Sequence, residues 1–404
     1  MLIERYLMLG LAVGRHIDGF VDAYYGPAAL AAAAAEGPPL PPEHLVAEAR
    51  SLLAAIDAGE PLGAVGADIG APEETGSDAA ARRRWLRGQV RGVHTTARRL
   101  AGEPIGYADE VESCYGVRPS RLPEERFVAA RKELEAAVPG TGPIAERLIA
   151  WRERQAIPPH RLEAAIASLC EDLRARTAAR FGLPEGESVE FSLVTNKPWS
   201  GFNHYLGDLA SRVEINVDLP VLSVSIAHLV AHEAYPGHHT EHSRKEVGLV
   251  RSRQYLEESI FLVGTPQCLI AEGLADLGLE IVVGARPERV VAEHLRPLGI
   301  DYDPDTVAVV AQASEILGRV RANAAFRLHE DGADPDTVAA EVAELALLPE
   351  ARAKKQVEFL MDPTWHSYIS CYTEGLPLCR AFVGGDPARF SRLITEQLTP
   401  AELA

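Results

Sequence analysis

The segment His232-Glu233-Ala234-Tyr235-Pro236-Gly237-His238-His239 governs how the rest of this chain is interpreted. A His-Glu pair followed by a histidine one helical turn later presents two imidazoles to a zinc ion and a carboxylate to the water bound by that ion. Here Pro236 occupies the position one turn on, and the imidazoles follow at 238 and 239. The segment therefore has the residue types of a zinc site, with an interruption in their spacing.

Helix geometry shows why the interruption matters. Each residue turns an α-helix by about 100° and advances it by about 1.5 Å. In a continuous helix, His238 would point about 240° away from His232, and His239 would lie about 10 Å further along the axis. Neither could share a zinc ion with His232, because Zn–N bonds are about 2.0–2.1 Å long. A metal site here requires a broken helix.

Pro236 and Gly237 can supply that break. Proline has no N–H and clashes with the preceding turn, whereas glycine permits most backbone angles. If these two residues bulge out, His238 becomes the second ligand, and a three-residue bulge would deliver His239 instead. We favour His238. The alternative to a metal site is a histidine-rich helix end near the terminal carbonyls.

The residues around the motif predict a cleft. Residues 221–231 are apolar nearly all round and predict a buried helix. Residues 240–246 are polar and charged and predict a solvent-exposed segment. The motif would then lie where a buried helix meets solvent.

A second helix offers a third ligand. Within residues 265–284, Glu272, Asp276 and Glu280 recur every four residues on an otherwise apolar helix. Buried carboxylates are costly unless they are paired or bind a metal. We predict Glu272 as the ligand and Asp276 as the acceptor of the free N–H of a ligand imidazole. The alternative is a solvated acidic stripe.

Together these motifs resemble the DUF885 family, which is grouped with the zincin-like gluzincin metallopeptidases. The resemblance covers roughly residues 185–384 and includes Glu-Gly-Leu-Ala at 272–275, where the family usually has Glu-Gly-Trp-Ala. In related peptidases, the histidine of a Gly-His pair after His-Glu binds zinc. Matching that pair to Gly237-His238 supports His238, with His239 as the alternative ligand or as a supporting residue beside the metal.

The resemblance implies a fold and an activity. Together with many predicted helices and few strands, it implies a mainly α zincin-like fold of α+β type: a large helical scaffold with a small antiparallel sheet beside the metal-binding helix. It implies one Zn²⁺ per chain on His232, His238 and Glu272. The activity implied is hydrolysis of peptide bonds. Zinc would activate water and polarise the scissile carbonyl, and Glu233 would act as the general base.

A late segment supplies candidates for stabilising an oxyanion. Residues 365–375 resemble the family's late Pro-Gly-Gln-Ala-x-x-Tyr-x-x-Gly stretch, keeping Tyr372 and Gly375 but having Tyr368 where glutamine is usual. A hydroxyl donor opposite the metal would stabilise the oxyanion of amide hydrolysis. We predict Tyr372 as the first candidate and Tyr368 as the second, on one helix face. The alternative for both is aromatic packing in the core.

Residues 190–195 and 211–217 predict two strands. The loop between them, 196–205, is dense in aromatic residues, amides and glycine, as binding loops often are. The resemblance to zincin-like folds implies that a strand before the metal helix offers its edge to an extended substrate. An ordinary hairpin loop is the alternative. The candidate substrate-binding residues are Trp199, Asn203 and Asn216.

Length and composition set the remaining bounds. The 404 residues exceed one typical domain. We predict an N-terminal helical lobe at 1–184 and a catalytic lobe with C-terminal helices at 185–404, which could form one compact unit. The glycine-rich segment 63–77 predicts a loop. The formal net charge of −18 argues against nucleic-acid and anionic-membrane partners.

Five scattered cysteines, an odd number, favour reduced thiols and a cytoplasmic location. The sequence shows no signal-peptide pattern and no segment long enough to span a membrane. The expected partner is a peptide or small amide substrate. The oligomeric state and the choice between terminal and internal cleavage stay open, although Arg319, Arg321 and Arg327 are candidates for binding a terminal carboxylate.

Two other functions compete with a zinc peptidase. One is metal-dependent hydrolysis of a non-peptide C–N bond in a small metabolite. The other is an inactive relative that binds peptides. Metal analysis together with a Glu233 variant separates the inactive relative from both hydrolases, and peptide-library cleavage separates the two hydrolases.

Overall fold

Helices form most of the computed structural model, which describes residues 1–63, 76–197, 199–363 and 365–404. This confirms the prediction of a mainly helical fold. The helices of the N-terminal part are α1 (Leu2–Gly14), α2 (Ala28–Ala35), α3 (Pro42–Asp57), α4 (Gly76–Leu100), α5 (Tyr107–Tyr115), α6 (Glu124–Ala137), α7 (Ile144–Arg154) and α8 (Pro159–Phe181). Those that follow are α9 (Ser223–Glu233), α10 (His238–Lys245), α11 (Pro266–Val283), α12 (Pro287–Leu295), α13 (Pro304–Gly318), α14 (Val320–His329), α15 (Pro335–Leu345), α16 (Glu350–Met361), α17 (Leu376–Val383), α18 (Pro387–Leu393) and α19 (Pro400–Leu403).

Shorter helical segments and strands complete the structure. Residues Glu246–Arg251 and Cys371–Gly375 are π-helical, and Leu256–Ser259 and Arg296–Leu298 are 3₁₀-helical. The strands are β1 (Val21–Tyr24), β2 (Ser188–Val194), β3 (Gly201–Gly207), β4 (Ala210–Asn216) and β5 (Ile260–Leu262).

The sheet beside α9 is mixed, so the prediction of a small antiparallel sheet is wrong in this respect. Its order is β2-β4-β3; β4 pairs parallel with β2 and antiparallel with β3. The tight turn between β3 and β4 places Asp208 and Leu209 at positive φ, as the two-residue hairpin turn requires. Strand β3 runs opposite to β2 without pairing with it. The hairpin turn then reverses the chain, so β4 runs in the same direction as β2 and pairs between the two. A separate antiparallel pair joins β1 and β5.

The predicted loop 196–205 contains most of a strand, which corrects that prediction. Residues 201–207 form β3, in which Asn203, Tyr205 and Gly207 are buried at alternate positions. The amides and glycine that resembled a binding loop thus follow the period of a strand. The strands predicted at 190–195 and 211–217 correspond to β2 and β4.

The segment predicted to be exposed after the motif is largely buried. Within 240–246 only Arg244 is partly exposed. The charges there are paired: Lys245 Nζ donates to Glu241 Oε1 at 2.8 Å, and Glu246 accepts from Tyr205 and Arg251. Polarity alone suggested exposure, but paired charges can be accommodated in a protein interior.

Two hydrophobic clusters hold the structure together. One unites α5 to α8 with β3, β4, α9, α11 and the later helices. The other unites α1, α3 and α4 with β5. Residues on both sides of position 184 contribute to each cluster, and the boundary predicted there stays a prediction.

Two sequence expectations concern less regular parts of the chain. Of the predicted loop 63–77, residues 64–75 lie outside the described residues, and Gly76 and Ser77 begin α4. Within the described ranges, no helix combines the length and apolar character that a membrane crossing requires.

Candidate metal centre

The helix carrying the His-Glu pair is broken, as the motif predicts. Helix α9 ends at Glu233, and Ala234 leaves the helical region with φ −121° and ψ −81°. Helix α10 then begins at His238. The break spans residues 234–237, and the N–H of Gly237 donates to Ala231 O at 2.9 Å across it. The break therefore delivers His238 as the first residue of the next helix.

Glycine is required at position 237. A Cβ atom there would lie 1.8 Å from the carbonyl oxygen of His232, far inside any van der Waals contact. The backbone of the break thus folds directly against the residue whose imidazole it must meet. No other residue type would allow this approach without moving one of the two segments.

Two glycines in α11 allow the break after α9 and the π-helical segment 371–375 to pack closely against this helix. A Cβ on Gly278 would lie 2.9 Å from Pro236 Cδ, and one on Gly273 would lie 2.4 Å from the backbone of Gly375. The break of α9 and the π-helical segment 371–375 therefore pack closely on the helix that carries Glu272. Sequence reasoning missed this role of the α11 glycines, although both lie within one or two residues of the acidic positions.

Three side chains meet at the break. His238 Nε2 lies 3.1 Å from His232 Nε2. Glu272 Oε2 lies 3.4 Å from His232 Nε2, and Glu272 Oε1 lies 3.4 Å from His238 Nε2. The three side chains are only 12%, 13% and 7% exposed for His232, His238 and Glu272. These are the residues that the sequence predicts as ligands.

The donor set fits a zinc ion. Two atoms bound about 2.0–2.1 Å from a tetrahedral zinc lie about 3.3–3.4 Å apart, close to the separations of 3.1, 3.4 and 3.4 Å among these side chains. Glu272 Oε2 is buried and has no hydrogen-bond partner among the described residues. A buried carboxylate oxygen without a donor is costly, and a cation between the three groups would satisfy it.

His239 lies away from this cluster. Its Nδ1 is 2.9 Å from Ser211 Oγ and its Nε2 is 2.9 Å from Glu187 Oε2, and its side chain is fully buried. Consecutive helical residues diverge by about 100°, so the two imidazoles of α10 face different partners. Both ring nitrogens of His239 are engaged, and it is His238 that the structure brings to His232 and Glu272.

Asp276 orients the first imidazole. Its Oδ1 lies 2.9 Å from His232 Nδ1 and 3.3 Å from His228 Nε2. Burial raises the pKa of Asp276, but hydrogen bonds from both histidines outweigh it and lower that pKa well below its usual value. The ionised carboxylate accepts the Nδ1 proton, which leaves the Nε2 lone pair of His232 facing the cluster. Sequence reasoning missed His228, whose signal was its position one turn before His232.

The buried carboxylates of the cluster favour a positive charge beside them. Burial raises the pKa of Glu272, but the neighbouring imidazoles of His232 and His238, each 3.4 Å from its carboxylate, lower it to about 2. Burial lowers the pKa of His232, yet hydrogen bonds to Asp276 and Glu272 raise it well above its usual value. Two buried carboxylates thus favour a bound cation, whether protons on the imidazoles or a metal ion.

Glu233 borders the cluster beside strand β3. Burial is the main cause that raises the pKa of this carboxyl group. A Cβ on Gly201 would lie 3.2 Å from Glu233 Oε1, so the backbone of β3 passes next to the carboxylate. Asn203 Nδ2 donates to the backbone oxygen of Glu233 at 2.6 Å, which fastens the strand to the end of α9. A buried carboxyl group with a raised pKa holds its proton more tightly than an exposed one.

The two predicted tyrosines both lie at the centre, and it is Tyr368 that contacts Glu272 directly. Tyr368 Oη donates to Glu272 Oε1 at 2.8 Å. Tyr372 packs edge-on against Tyr368, with ring centroids 5.4 Å apart. Tyr368 lies in a turn and Tyr372 in the π-helical segment, so the expectation of one helix face is wrong. Burial raises the pKa of both hydroxyls well above the usual value, so both remain hydrogen-bond donors.

The other predicted binding residues make structural contacts. Asn203 is buried against Glu233. Asn216 Nδ2 donates to the backbone oxygens of Lys197 and Trp199, at 2.9 and 3.0 Å. Trp199 stacks on Phe202, with centroids 5.6 Å apart. Asn216 belongs to the central strand β4, whereas β3 lies at the edge of the sheet. The edge that passes the cluster is therefore that of β3.

Charged residues far away in sequence also reach the cluster. The carboxylate of Asp22 in β1 interacts electrostatically with His238, Glu272 and Glu233. The guanidinium of Arg321 interacts with Tyr372 and Asp276 and forms no salt bridge with a described residue. Arg321 was among the predicted carboxylate-binding candidates; Asp22 was missed, because nothing in the N-terminal sequence marks it.

The two other arginines have acidic partners of their own. Arg319 pairs with Glu374 at 3.1 Å, and Arg327 pairs with Glu341 at 3.0 Å. Of the three candidates for binding a terminal carboxylate, Arg321 is thus the one near the cluster.

Comparison with known proteins bears on the fold. No family model matches the chain, and no curated protein matches it. Among solved structures, it is similar to one described as "the putative lipoprotein from Colwellia psychrerythraea", with a TM-score of 0.54 and 16% sequence identity over 89% of this chain. The chain spans 65% of the length of that protein. At this identity the likeness shows a shared fold alone, and the resemblance to DUF885 stays a prediction.

Proposed function

We propose that this protein is a zinc-dependent hydrolase of zincin-like fold, related to the DUF885 family, that cleaves peptide bonds. The observation that carries the proposal is the convergence of His232, His238 and Glu272, with nitrogen and oxygen atoms 3.1–3.4 Å apart. Two histidines and a glutamate are a donor set of catalytic zinc sites, which keep a further coordination position open.

Each surrounding side chain has a role in this chemistry. Zinc bound by these residues would polarise the scissile carbonyl and lower the pKa of water. Glu233 removes a proton from the attacking water and passes it to the leaving amine. The hydroxyls of Tyr368 and Tyr372 donate to the developing oxyanion. Asp276 holds His232 in the tautomer that presents Nε2.

A peptide substrate is supported by strand β3. It is an edge strand of its sheet, and its backbone at Gly201 passes beside the carboxylate of Glu233. Extended peptides bind such edges through main-chain hydrogen bonds. A peptide aligned along β3 would therefore pass its scissile bond close to the general base.

Metal content tests the ligand set. We expect the purified protein to contain about one zinc per chain when measured by mass spectrometry of the dissolved metal. His238→Ala should lose the metal, whereas His239→Ala is the matched control that should retain it. A protein that purifies without zinc and does not bind it on addition would refute the metal centre.

Cleavage of a peptide library tests the reaction. Products identified by mass spectrometry should appear with the zinc-loaded protein and disappear with a chelator. Glu233→Gln should keep the metal and lose nearly all cleavage. Full activity in that variant would remove Glu233 from the mechanism, and a zinc-loaded protein that cleaves no peptide would refute the peptidase assignment.

A further inference from the structure

Asp22 occupies an irregularity in the strand pair beside the metal centre. Val21 pairs with Leu262 and Ala23 pairs with Phe261, so the register shifts at Asp22 and leaves it as the extra residue of a bulge. Bulges change the direction of a side chain and recur next to active sites. Strand β5 leads directly into α11, which carries Glu272. The bulge in β1 is therefore connected, through its pairing with β5, to the helix that carries Glu272.

The carboxylate of Asp22 lies within electrostatic range of the centre and has no hydrogen-bond or salt-bridge partner among the described residues. It interacts electrostatically with His238, Glu272 and Glu233, and its residue is half-buried. By contrast, Glu272 accepts a hydrogen bond from Tyr368, and Asp276 accepts one from His232.

Asp22 does not belong to the ligand set. The ligand atoms of His232, His238 and Glu272 all lie within 4.8 Å of one another, and Asp22 is absent from this group and from the one that His228 forms with His232 and Asp276. Its negative charge is therefore additional to the metal ligands. Burial is the main cause that raises the pKa of Asp22 to about 7; the charge of His238 acts against it, and the carboxylates of Glu272 and Glu233 add to it.

We propose that Asp22 binds a primary ammonium group of the substrate next to the scissile bond. An ammonium group would supply the hydrogen-bond donors that the carboxylate lacks and would offset the repulsion from Glu233 and Glu272. Two peptide groups have this chemistry: a free α-amino group and a lysine side chain. The α-amino group would make the enzyme an aminopeptidase. The inference rests on the proposed function for its setting, but binding tests it separately from hydrolysis.

The test measures peptide binding by calorimetry in the zinc-loaded Glu233→Gln protein, which prevents turnover. Three probes are compared: a tripeptide amide of alanine with a free amino terminus, its N-acetylated form, and an N-acetylated form with one lysine. We expect the free-amine peptide to bind about 10-fold or more tightly than its acetylated form, as for hydrogen bonds to charged groups. Asp22→Asn should abolish this difference and leave binding of the acetylated peptide unchanged. Tighter binding of the lysine peptide alone would assign the ammonium group to a side chain.

Asp18→Asn is the matched control, because it removes the same charge from an exposed residue four positions earlier. It should leave all three affinities unchanged. Equal affinities for amine and acetylated peptides, no peptide binding, or an amine preference that survives Asp22→Asn would each overturn the proposal. Loss of zinc in Asp22→Asn would make Asp22 a metal ligand and overturn it too. Binding with the expected preference but without cleavage by the parent protein would refute only the peptidase assignment.

Discussion

His232 Nδ1 lies 2.9 Å from Asp276 Oδ1, and this contact directs the other ring nitrogen of His232 toward His238 and Glu272. Because an ionised carboxylate can only accept, the imidazole must donate its Nδ1 proton here. The ring is therefore held in the one neutral tautomer that can bind a metal through Nε2. The relationship links the break after α9 to the acidic face of α11.

Asp276→Asn should weaken zinc binding about 10- to 100-fold, as is typical when the hydrogen-bond partner of a ligand histidine is lost. The amide can donate as well as accept, so it no longer enforces the tautomer. Competition with a chromophoric chelator measures the affinity. Glu280→Gln, one turn further along α11 and exposed, is the control that should bind zinc like the parent. An unchanged zinc affinity in Asp276→Asn would show that the tautomer is set by another group.

Gly237→Ala should destabilise the protein by about 3 kcal/mol or more, beyond the usual range for single substitutions. The added Cβ would meet the carbonyl oxygen of His232 at 1.8 Å, so the break cannot keep its backbone path. Urea denaturation measures the loss of unfolding free energy, and zinc content should fall with it. Gly248→Ala is the matched control, since a Cβ there meets no atom within 4 Å. Equal stability of the two variants would contradict the requirement for glycine at 237.

The meeting of His232, His238 and Glu272 was predictable because its signals are local. The helical period excludes an unbroken helix between His232 and either later histidine, and Pro236-Gly237 marks the break. The carboxylates of α11 recur every four residues, so Glu272 and Asp276 could be assigned from spacing. Only the resemblance and the structure distinguish His238 from His239, because the size of a bulge depends on packing against Gly278.

Other features of the site could not be derived from sequence because they depend on tertiary contacts. Asp22 reaches the cluster through pairing of β1 with β5, two strands far apart in the chain. The segment after the motif is polar, yet it is buried because Lys245 pairs with Glu241. Asn203 is an inward residue of a strand rather than part of a loop. The sequence shows that these residues are polar, but it does not show which distant residues they contact.

The pH dependence of stability should include a contribution from Glu258. Burial is the main cause that raises the pKa of this carboxyl group to about 7. A group whose folded pKa is raised stabilises the folded state below its unfolded pKa, and that contribution is lost as pH rises through the folded pKa. The ordinary pKa of a glutamate is 4.5, and that of Glu258 in the folded protein is about 7. The stabilisation contributed by Glu258 should therefore be lost as the pH rises from 4.5 to about 7.

Glu258→Gln isolates this contribution. The amide cannot ionise and can still accept from Gln267 Nε2, which lies 3.0 Å from Glu258 Oε2. Relative to the parent, the variant should gain about 3 kcal/mol of unfolding free energy between about pH 4.5 and pH 7. Urea denaturation across this interval measures the difference. Glu60→Gln, at an exposed position, should follow the parent. Parallel pH profiles for Glu258→Gln and the parent would exclude an elevated pKa at Glu258.

Tyr368→Phe should lower kcat about 100-fold while zinc content and KM stay near the parent values, if its hydroxyl donates to the oxyanion as proposed. The prediction rests on the 2.8 Å hydrogen bond from Tyr368 Oη to Glu272 Oε1, which brings the hydroxyl to the ligand cluster. Tyr372→Phe should have the smaller effect, because Tyr372 contacts Tyr368 and no hydrogen bond joins it to the three ligands within the described residues. Steady-state kinetics on one cleaved peptide, with zinc measured in each variant, compares the two. A larger loss of kcat in Tyr372→Phe would restore the order expected from the sequence, and loss of zinc in Tyr368→Phe would make Tyr368 a support for Glu272 instead of an oxyanion donor.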